Sequence, residues 1–183
     1  MNRNKPLVSI ITPSFNSHKY IEGTIRSVMG QNYPNIEHII VDGASSDGTI
    51  DILMKYDRQI KWISEPDKGM YEAINKGFSI AKGEILTYIN SDDLYYSENV
   101  VNTVVDAFEK NKSIDFIYGH CAFMDDYGTL LYIYKAPFFH RKIALAYHRI
   151  IFHQPTCFWR KTIHTEFDTS FKFAGDSKFF RYI

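Results

Sequence analysis

The chain of 183 residues is long enough for one domain with a single substantial core. Lys and Arg number 21, as do Asp and Glu, so the formal net charge is zero and nothing indicates the basic surface of a nucleic-acid-binding protein. No apolar stretch approaches the roughly 18 residues of a transmembrane helix, and residues 1–6 lack the apolar region of a signal peptide. We therefore expect a cytoplasmic domain without a transmembrane segment, and peripheral association with the inner face of the membrane stays open.

The first ninety residues alternate between strand and helix patterns. Short apolar runs predict four strands, at 7–12, 36–41, 60–64 and 85–90. Apolar residues at helical spacing predict intervening helices at 18–31, directly after Asp47, and at 70–81. Successive strand-then-helix units imply parallel pairing with right-handed crossovers, and strands apolar on both faces need helices on each side. The predicted fold class is therefore α/β: a three-layer, Rossmann-like α/β/α fold with a mostly parallel central sheet.

The pattern changes beyond residue 113. Segments 115–118 and 130–134 flank a turn at 125–128 and predict a β-hairpin. The aromatic-rich segment 138–152 is expected to be partly helical, and 156–160 to form a last strand. Most aromatic side chains are expected in the core, with Trp159 the best candidate to expose a ring face.

Polar residues follow each of the four predicted strands. Ligands of open parallel sheets bind beyond the carboxyl ends of the strands, where the four loops would meet. These loops are 13–16, 42–47, 65–69 and 90–93. Asp, Asn, Ser and Gly are also ordinary turn and capping residues, so any one loop has a structural explanation. The acidic residues concentrate at this rim and not at the opposite one, which favours a ligand site.

The phosphate-binding chemistry has to differ from that of glycine-rich loops. The residues after the first strand, 13–18, contain no glycine, so neither a dinucleotide fingerprint nor a Walker loop is present. Adjacent carboxylates such as Asp92 and Asp93 can instead hold Mg²⁺ or Mn²⁺, and the cation then neutralises a diphosphate. A helix N-cap is the structural alternative for this pair.

Four segments together resemble family 2 of the inverting glycosyltransferases, which have the GT-A fold. They are 8–16 (VSIITPSFN), 40–49 (IVDGASSDGT), 65–77 (EPDKGMYEAINKG) and 90–93 (NSDD). The third segment resembles bacterial members that build cell-surface polysaccharides. The resemblance is strong over 7–100 and weaker to 183. It implies transfer of a sugar, with inversion, from a UDP- or GDP-sugar to a saccharide or lipid-linked saccharide acceptor.

The resemblance also implies roles for individual residues. Those expected to bind the nucleotide sugar are Pro13, Ser14, Asn16, Asp42, Ser45, Asp67, Lys68 and Asp92. Within this set, Asp42 is expected at the base edge and Asp92 at the ribose or sugar, while Asp93 is expected to ligate the metal. The sequence has Asp-Gly-Ala-Ser at 42–45 where many members have Asp-Asp-Gly-Ser, so one acidic residue of the nucleotide pocket is missing.

Asp176 is the candidate general base. It resembles the family's aspartate that opens a helix after a Phe-Asp-x-x-Phe stretch, here 167–171. A plain N-cap is the structural alternative, and His153 is left open between a core position and a substrate or metal contact. Within one domain, 1–183, we expect a nucleotide-sugar-binding half, 1–112, and an acceptor-side half, 113–183. The latter is expected to be truncated, since only seven residues follow Asp176.

Two other functions compete with glycosyl transfer. A non-catalytic nucleotide-sugar-binding fragment is consistent with the short acceptor-side half. A sugar-phosphate nucleotidyltransferase shares the general layout, but that class carries a glycine- and arginine-rich loop after its first strand, which this chain lacks.

Overall fold

The computed structural model describes residues 5–137, 153–171 and 175–182. The strands are β1 (Val8–Ser14), β2 (Ile36–Asp42), β3 (Lys61–Ser64), β4 (Ile85–Tyr88), β5 (Phe116–Ile117), β6 (Cys121–Met124), β7 (Leu130–Tyr134) and β8 (Phe158–Arg160). The helices are α1 (Ile21–Met29), α2 (Thr49–Lys55), α3 (Met70–Ile80), α4 (Val100–Lys110) and α5 (Gly175–Tyr182). The predicted strand–helix alternation over the first ninety residues is confirmed.

Within the described residues, the main sheet has the strand order β3-β2-β1-β4-β8-β5. The pairs joining β3, β2, β1 and β4 are parallel, whereas β8 runs antiparallel to both β4 and β5. The first two strands are almost entirely buried, as expected for central parallel strands covered on both faces. The predicted α/β fold with a mostly parallel sheet is confirmed.

Helices cover the sheet on both sides because β1 and β2 alternate their side chains between two apolar layers. Ile11 and Ile39 pack with residues of α3 and α5, whereas Ile10 packs with residues of α1 and α4. Ile40 joins a third cluster with residues of α1 and α2. The sheet therefore lies between two helical layers.

The prediction that the first strand ends before Pro13 was wrong, because Pro13 lies inside β1. Because Ile89 N–H bonds to Ile11 O, the backbone groups of Ile11, and of Pro13 two residues later, face β4. The pairing of β1 with β4 ends at Ile11 and Tyr88, so no strand partner requires the N–H that proline lacks. The strand continues to Ser14, in register with Asp42.

Two predictions in the second half of the chain were wrong. The hairpin pairs β6 with β7, whereas Phe116 and Ile117 of the predicted first hairpin strand join the main sheet beside β8. Trp159 exposes nothing, because Phe78 of α3 and Phe179 of α5 pack against its ring at 5.5 and 5.2 Å between centroids.

The predicted strand at 156–160 is confirmed as β8, and the predicted partly helical segment 138–152 lies outside the described residues. Among the described helices, none combines the length and apolar character that a bilayer-spanning segment needs. The division into halves at residue 112 stays a prediction.

Candidate functional site

The carboxyl edge of the parallel strands brings the predicted loops together. Ser14 at the end of β1 lies opposite Asp42 at the end of β2, and Asp42 lies opposite Ser64 at the end of β3. The fourth loop leaves β4 after Tyr88, and Ile89 N–H still bonds to Ile11 O. All four loops therefore start from one rim, as predicted.

Hydrogen bonds tie the first loop to the second. Asn16 N–H donates to Ser45 Oγ at 2.7 Å, and Ser46 N–H donates to Asn16 Oδ1 at 3.0 Å. The backbone of Asn16 is left-handed, with φ of 48°, a conformation that Asn tolerates better than most residues. Asn16 and Ser45 thus define the shape of this part of the rim.

Asp42 is the internal anchor of the same loops. Its carboxylate accepts hydrogen bonds from Ser45 N–H at 2.8 Å, from Ser45 Oγ at 2.5 Å and from Ser64 Oγ at 2.8 Å. The residue has no exposed surface. These bonds satisfy the buried charge and hold β2, β3 and the loop after β2 in one arrangement.

Gly43, Phe15 and Asp67 meet beside this anchor. A Cβ atom built on Gly43 would lie 2.9 Å from Asp67 Oδ2 and 3.2 Å from Phe15 Cδ2. The Phe15 ring is 65% exposed, although an aromatic side chain of this size usually finds cover. Sequence reasoning did not single out Phe15. The available signal was one large aromatic residue inside an otherwise polar loop.

The third loop leads from Asp67 into α3. Asp67 Oδ1 accepts a hydrogen bond from Gly69 N–H at 2.8 Å, and the exposed Lys68 donates its N–H to Glu72 Oε2 at 3.1 Å. A cavity of about 290 Å³ opens here. Its lining comes from the start of α3 and from the segment before α5, namely Lys68, Gly69, Met70, Tyr71, Glu72, Thr169, Ser170 and Phe171.

The fourth loop presents the acidic pair. Asp92 is exposed, whereas Asp93 is half-buried, and burial together with the neighbouring charge of Asp92 raises the pKa of Asp93 to about 6. Thr24 Oγ1 lies 2.9 Å from the carbonyl oxygens of both Ser91 and Asp93. Helix α1 therefore holds this loop in place, and Ser17 adds a side-chain bond to Ser91 at 2.8 Å.

The acidic pair fits an oxygen-ligated divalent cation that the protein holds only in part. In the segments that the structure describes, no three His, Cys, Asp or Glu side chains are placed to form a complete metal site. Asn90 Oδ1, next to the pair, is buried without a hydrogen-bond partner among the described residues. One or two carboxylates completed by substrate phosphates and water are the usual protein ligands of Mg²⁺.

Asp176 lies in the first turn of α5, and Tyr71 of α3 holds that turn. Tyr71 Oη accepts hydrogen bonds from the N–H groups of Gly175 at 2.8 Å and Asp176 at 3.2 Å. Burial, followed by the charges of Asp176 and then of other neighbours including Asp93, raises the pKa of Tyr88. The charges of both carboxylates therefore act on the same buried tyrosine at the end of β4.

Asp168, a second acidic residue of this region, has a structural partner. Asp168 accepts hydrogen bonds from Lys178 Nζ at 2.6 Å and from Ser170 N–H at 2.9 Å, and these contacts lower its pKa. His153 packs edge-on against Phe123 and Tyr134 of the hairpin, with ring centroids 5.0 and 4.7 Å away.

Comparison with known proteins identifies the family. The family model described as Glycosyl transferase family 2 matches residues 9–167. The chain belongs to glycosyl transferase family 2. This membership favours glycosyl transfer over the nucleotidyltransferase alternative. A relative, TuaG of Bacillus subtilis (strain 168), is a glycosyltransferase named for teichuronic acid biosynthesis. It is 38% identical over an alignment of 120 residues that covers 63% of this chain and 48% of TuaG, so the chain spans about half of TuaG.

Solved structures share the family 2 fold. The mannosyltransferase PcManGT from Pyrobaculum calidifontis, in complex with GDP-Man and Mn²⁺, superposes with a TM-score of 0.70 at 19% identity over 94% of this chain and 50% of that one. TarS from S. aureus, in complex with UDP-GlcNAc, has a TM-score of 0.56 at 27% identity over 60% of this chain and 33% of that one. These likenesses confirm the GT-A fold.

Proposed function

We propose that this family 2 protein transfers a sugar from a nucleotide-diphosphate sugar to an acceptor hydroxyl, with inversion and with a divalent cation, in cell-surface polysaccharide biosynthesis. The observation that carries the proposal is the acidic pair after β4 at the carboxyl edge of the sheet, where Asp93 is partly buried beside Asp92 and the charge of Asp176 also reaches Tyr88. A cation-binding group and a base are the two functions that this transfer requires.

The nucleotide is assigned to the rim formed by the first three loops, in the half 1–112. Its base lies on the exposed ring of Phe15, and Pro13, Ser14, Asn16 and Ser45 shape the pocket around it. Ser14 Oγ supports this placement, because it is buried without a hydrogen-bond partner among the described residues. The exposed ammonium of Lys68 lies on the next loop and pairs with the diphosphate.

Asp93 is the protein's ligand for Mg²⁺ or Mn²⁺, and Asp92 contacts the ribose or the sugar. When bound, the cation stabilises the charge on the leaving diphosphate as a Lewis acid. The exclusion of Asp93 from water makes its charge costly, which favours a cation beside it.

Asp176 is the base that takes the proton of the acceptor hydroxyl. The N–H group of Asp176 donates to Tyr71 Oη, and this bond fixes the backbone from which the Asp176 side chain reaches the acceptor. Attack from the side of Asp176, opposite the leaving diphosphate, inverts the configuration at the sugar carbon. The acceptor lies on the 113–183 side and is a saccharide or a lipid-linked saccharide.

The relatives support the donor and the pathway. TarS holds UDP-GlcNAc at 27% identity, PcManGT holds GDP-Man and Mn²⁺ in the same fold, and TuaG is named for teichuronic acid biosynthesis. These bound molecules motivate a panel of UDP- and GDP-sugars as donors.

The test is release of nucleoside diphosphate from that panel, with Mn²⁺ and a mixture of saccharide acceptors. We expect turnover by the wild-type protein, a loss of about 10²–10⁴-fold in Asp176→Asn, and unchanged donor binding in that variant. Asp106→Asn, an exposed change on α4, is the matched control and should retain full turnover. Donor binding without turnover in the wild type would instead favour the non-catalytic fragment.

A further inference from the structure

The side chain of Asp67 occupies the space beside Gly43. The built Cβ of residue 43 would meet Asp67 Oδ2 at 2.9 Å and Asp67 Cγ at 3.4 Å. A side chain at position 43 and the carboxylate of Asp67 therefore exclude one another. The glycine at 43 is what allows a carboxylate from the third loop to reach the pocket of the second loop.

Asp42 has little capacity left for a ligand. An ionised carboxylate offers about four acceptor positions. Three of them are used by Ser45 N–H, Ser45 Oγ and Ser64 Oγ, and Asp42 has no exposed surface. Its geometry is that of a positioning residue, which shapes the loop after β2 and through Ser45 also holds Asn16.

Asp67 has the opposite character. It is only half-buried, and its Oδ1 accepts the hydrogen bond from Gly69 N–H. Among the described residues, no group donates to Oδ2, the oxygen that points to Gly43. The exposed ring of Phe15 lies on the same glycine. A flat apolar ring and an acceptor oxygen thus flank one open backbone position, which suits a planar heterocycle with an N–H on its edge.

We propose that Asp67, and not Asp42, reads the base of the donor nucleotide, and that this base is uracil. This inference rests on the proposed function. Oδ2 of Asp67, which accepts from no described residue, matches the single N3–H donor of uracil. Guanine presents two adjacent donors and would engage both carboxylate oxygens, so it would have to share Oδ1 with Gly69 N–H. Cytosine and adenine present a ring nitrogen acceptor next to their amino group, which a carboxylate repels.

The test measures binding of UDP and of N3-methyl-UDP by calorimetry in the presence of Mn²⁺. For the wild-type protein we expect methylation to weaken binding at least about tenfold, because it removes a hydrogen bond to a charged acceptor. This arm needs no variant. GDP should bind more weakly than UDP.

Variants then show which residue discriminates between UDP and N3-methyl-UDP. In Asp67→Asn we expect UDP to lose about tenfold in affinity and the preference over N3-methyl-UDP to vanish. When the amide oxygen accepts from Gly69 N–H, the NH2 group takes the position of Oδ2 and presents a donor to the N3–H of the base. In Asp42→Asn both ligands should weaken in parallel, so that the preference remains. Glu65→Gln, which removes the same charge from the same loop, should preserve both affinities and the preference, because Glu65 faces Lys76.

The outcomes separate the two proposals. Three outcomes would overturn the assignment of Asp67 while leaving nucleotide binding intact. They are an unchanged preference for UDP over N3-methyl-UDP in Asp67→Asn, a loss of that preference in Asp42→Asn alone, and tighter binding of GDP than of UDP. Absence of binding for every nucleoside diphosphate would overturn the proposed function itself.

Discussion

At the scale of single residues, the site is built from polar groups whose partners come from other loops. Asp42, Asn16 and Thr24 make bonds that cross from one loop to another. Ser14 Oγ and Asn90 Oδ1 are buried at the same rim without partners among the described residues. Unsatisfied buried atoms are rare in proteins, and a bound ligand or water is their usual explanation. Their presence at this rim supports a binding site for a polar substrate here.

The hydroxyl of Tyr71 positions Asp176 by accepting hydrogen bonds from the first turn of α5. Tyr71→Phe keeps the ring, which stacks on Phe167 at 5.8 Å, but removes the acceptor for two N–H groups. We expect the first turn of α5 to loosen, kcat to fall at least about tenfold, and the Kd of the donor to change by less than about twofold.

Steady-state kinetics and calorimetry on the same preparations check this split. Tyr33→Phe is the control, because the Tyr33 hydroxyl bonds to Pro6 O at 2.6 Å, in the segment that precedes β1 and far from its carboxyl end. The positioning role of Tyr71 is refuted if both variants retain wild-type kcat.

At the scale of elements, two helical glycines differ in the space around them. A Cβ on Gly77 of α3 would overlap with Ile11 Cγ2 of β1, whereas a Cβ on Gly23 of α1 would meet only Leu94 Cδ2 at 3.4 Å. We expect Gly77→Ala to destabilise the protein by about 1–3 kcal/mol through overpacking. Gly23→Ala should stabilise it by roughly 0.5–1 kcal/mol through helix propensity.

Thermal unfolding of the two variants and the wild type measures these two changes in stability. Since 1 kcal/mol shifts Tm by about 2–4 °C in a chain of this size, the shifts should be resolvable and opposite in sign. If Gly77→Ala left the stability unchanged, α3 would not approach β1 as closely as the overlap of the added Cβ with Ile11 implies.

Strand β2 carries a buried histidine that makes stability depend on pH. Burial lowers the pKa of His38 from 6.5 to about 3, and its Nε2 lies 2.9 Å from Thr12 Oγ1. The folded protein keeps the ring neutral, whereas the unfolded chain takes up a proton below pH 6.5. The contribution of His38 is therefore complete above pH 6.5 and is lost as the pH falls from 6.5 towards 3.

Urea unfolding at pH 7 and pH 5 quantifies this loss. Between these values the free energy of unfolding should fall by about 2 kcal/mol more in the wild type than in His38→Gln, which cannot titrate. Equal losses in the two proteins would show that His38 is not held neutral by the fold.

The sequence predicted elements well where their signal is local. The buried strands β1, β2 and β4 are rich in apolar residues, and helix α1 between them has one apolar face. The failures depend on partners far along the chain. Phe116 pairs with Trp159, which only the folded sheet reveals, and Trp159 is covered by α3 and α5 together.

At the scale of the whole molecule, parallel topology made the rim predictable. Strands that run in one direction bring their carboxyl ends to one edge, so the four polar loops had to converge. The contacts inside the rim were not predictable, because the bonding of Asp42 and the approach of Asp67 to Gly43 depend on loop conformation. The sequence thus located the rim where the four loops meet, and the structure distinguishes the buried Asp42 from the half-buried Asp67.

The most direct measurement of the central claim is the melting temperature with UDP, with and without Mn²⁺, for the wild type and Asp93→Asn. A nucleotide at 100 times its Kd contributes about 2.7 kcal/mol to stability, which corresponds to a rise of about 5–10 °C. We predict that the wild type shows this rise with Mn²⁺ and loses most of it with a chelator, and that Asp93→Asn shows no Mn²⁺-dependent part. An Asp93→Asn protein stabilised by Mn²⁺ and UDP as much as the wild type would contradict the account.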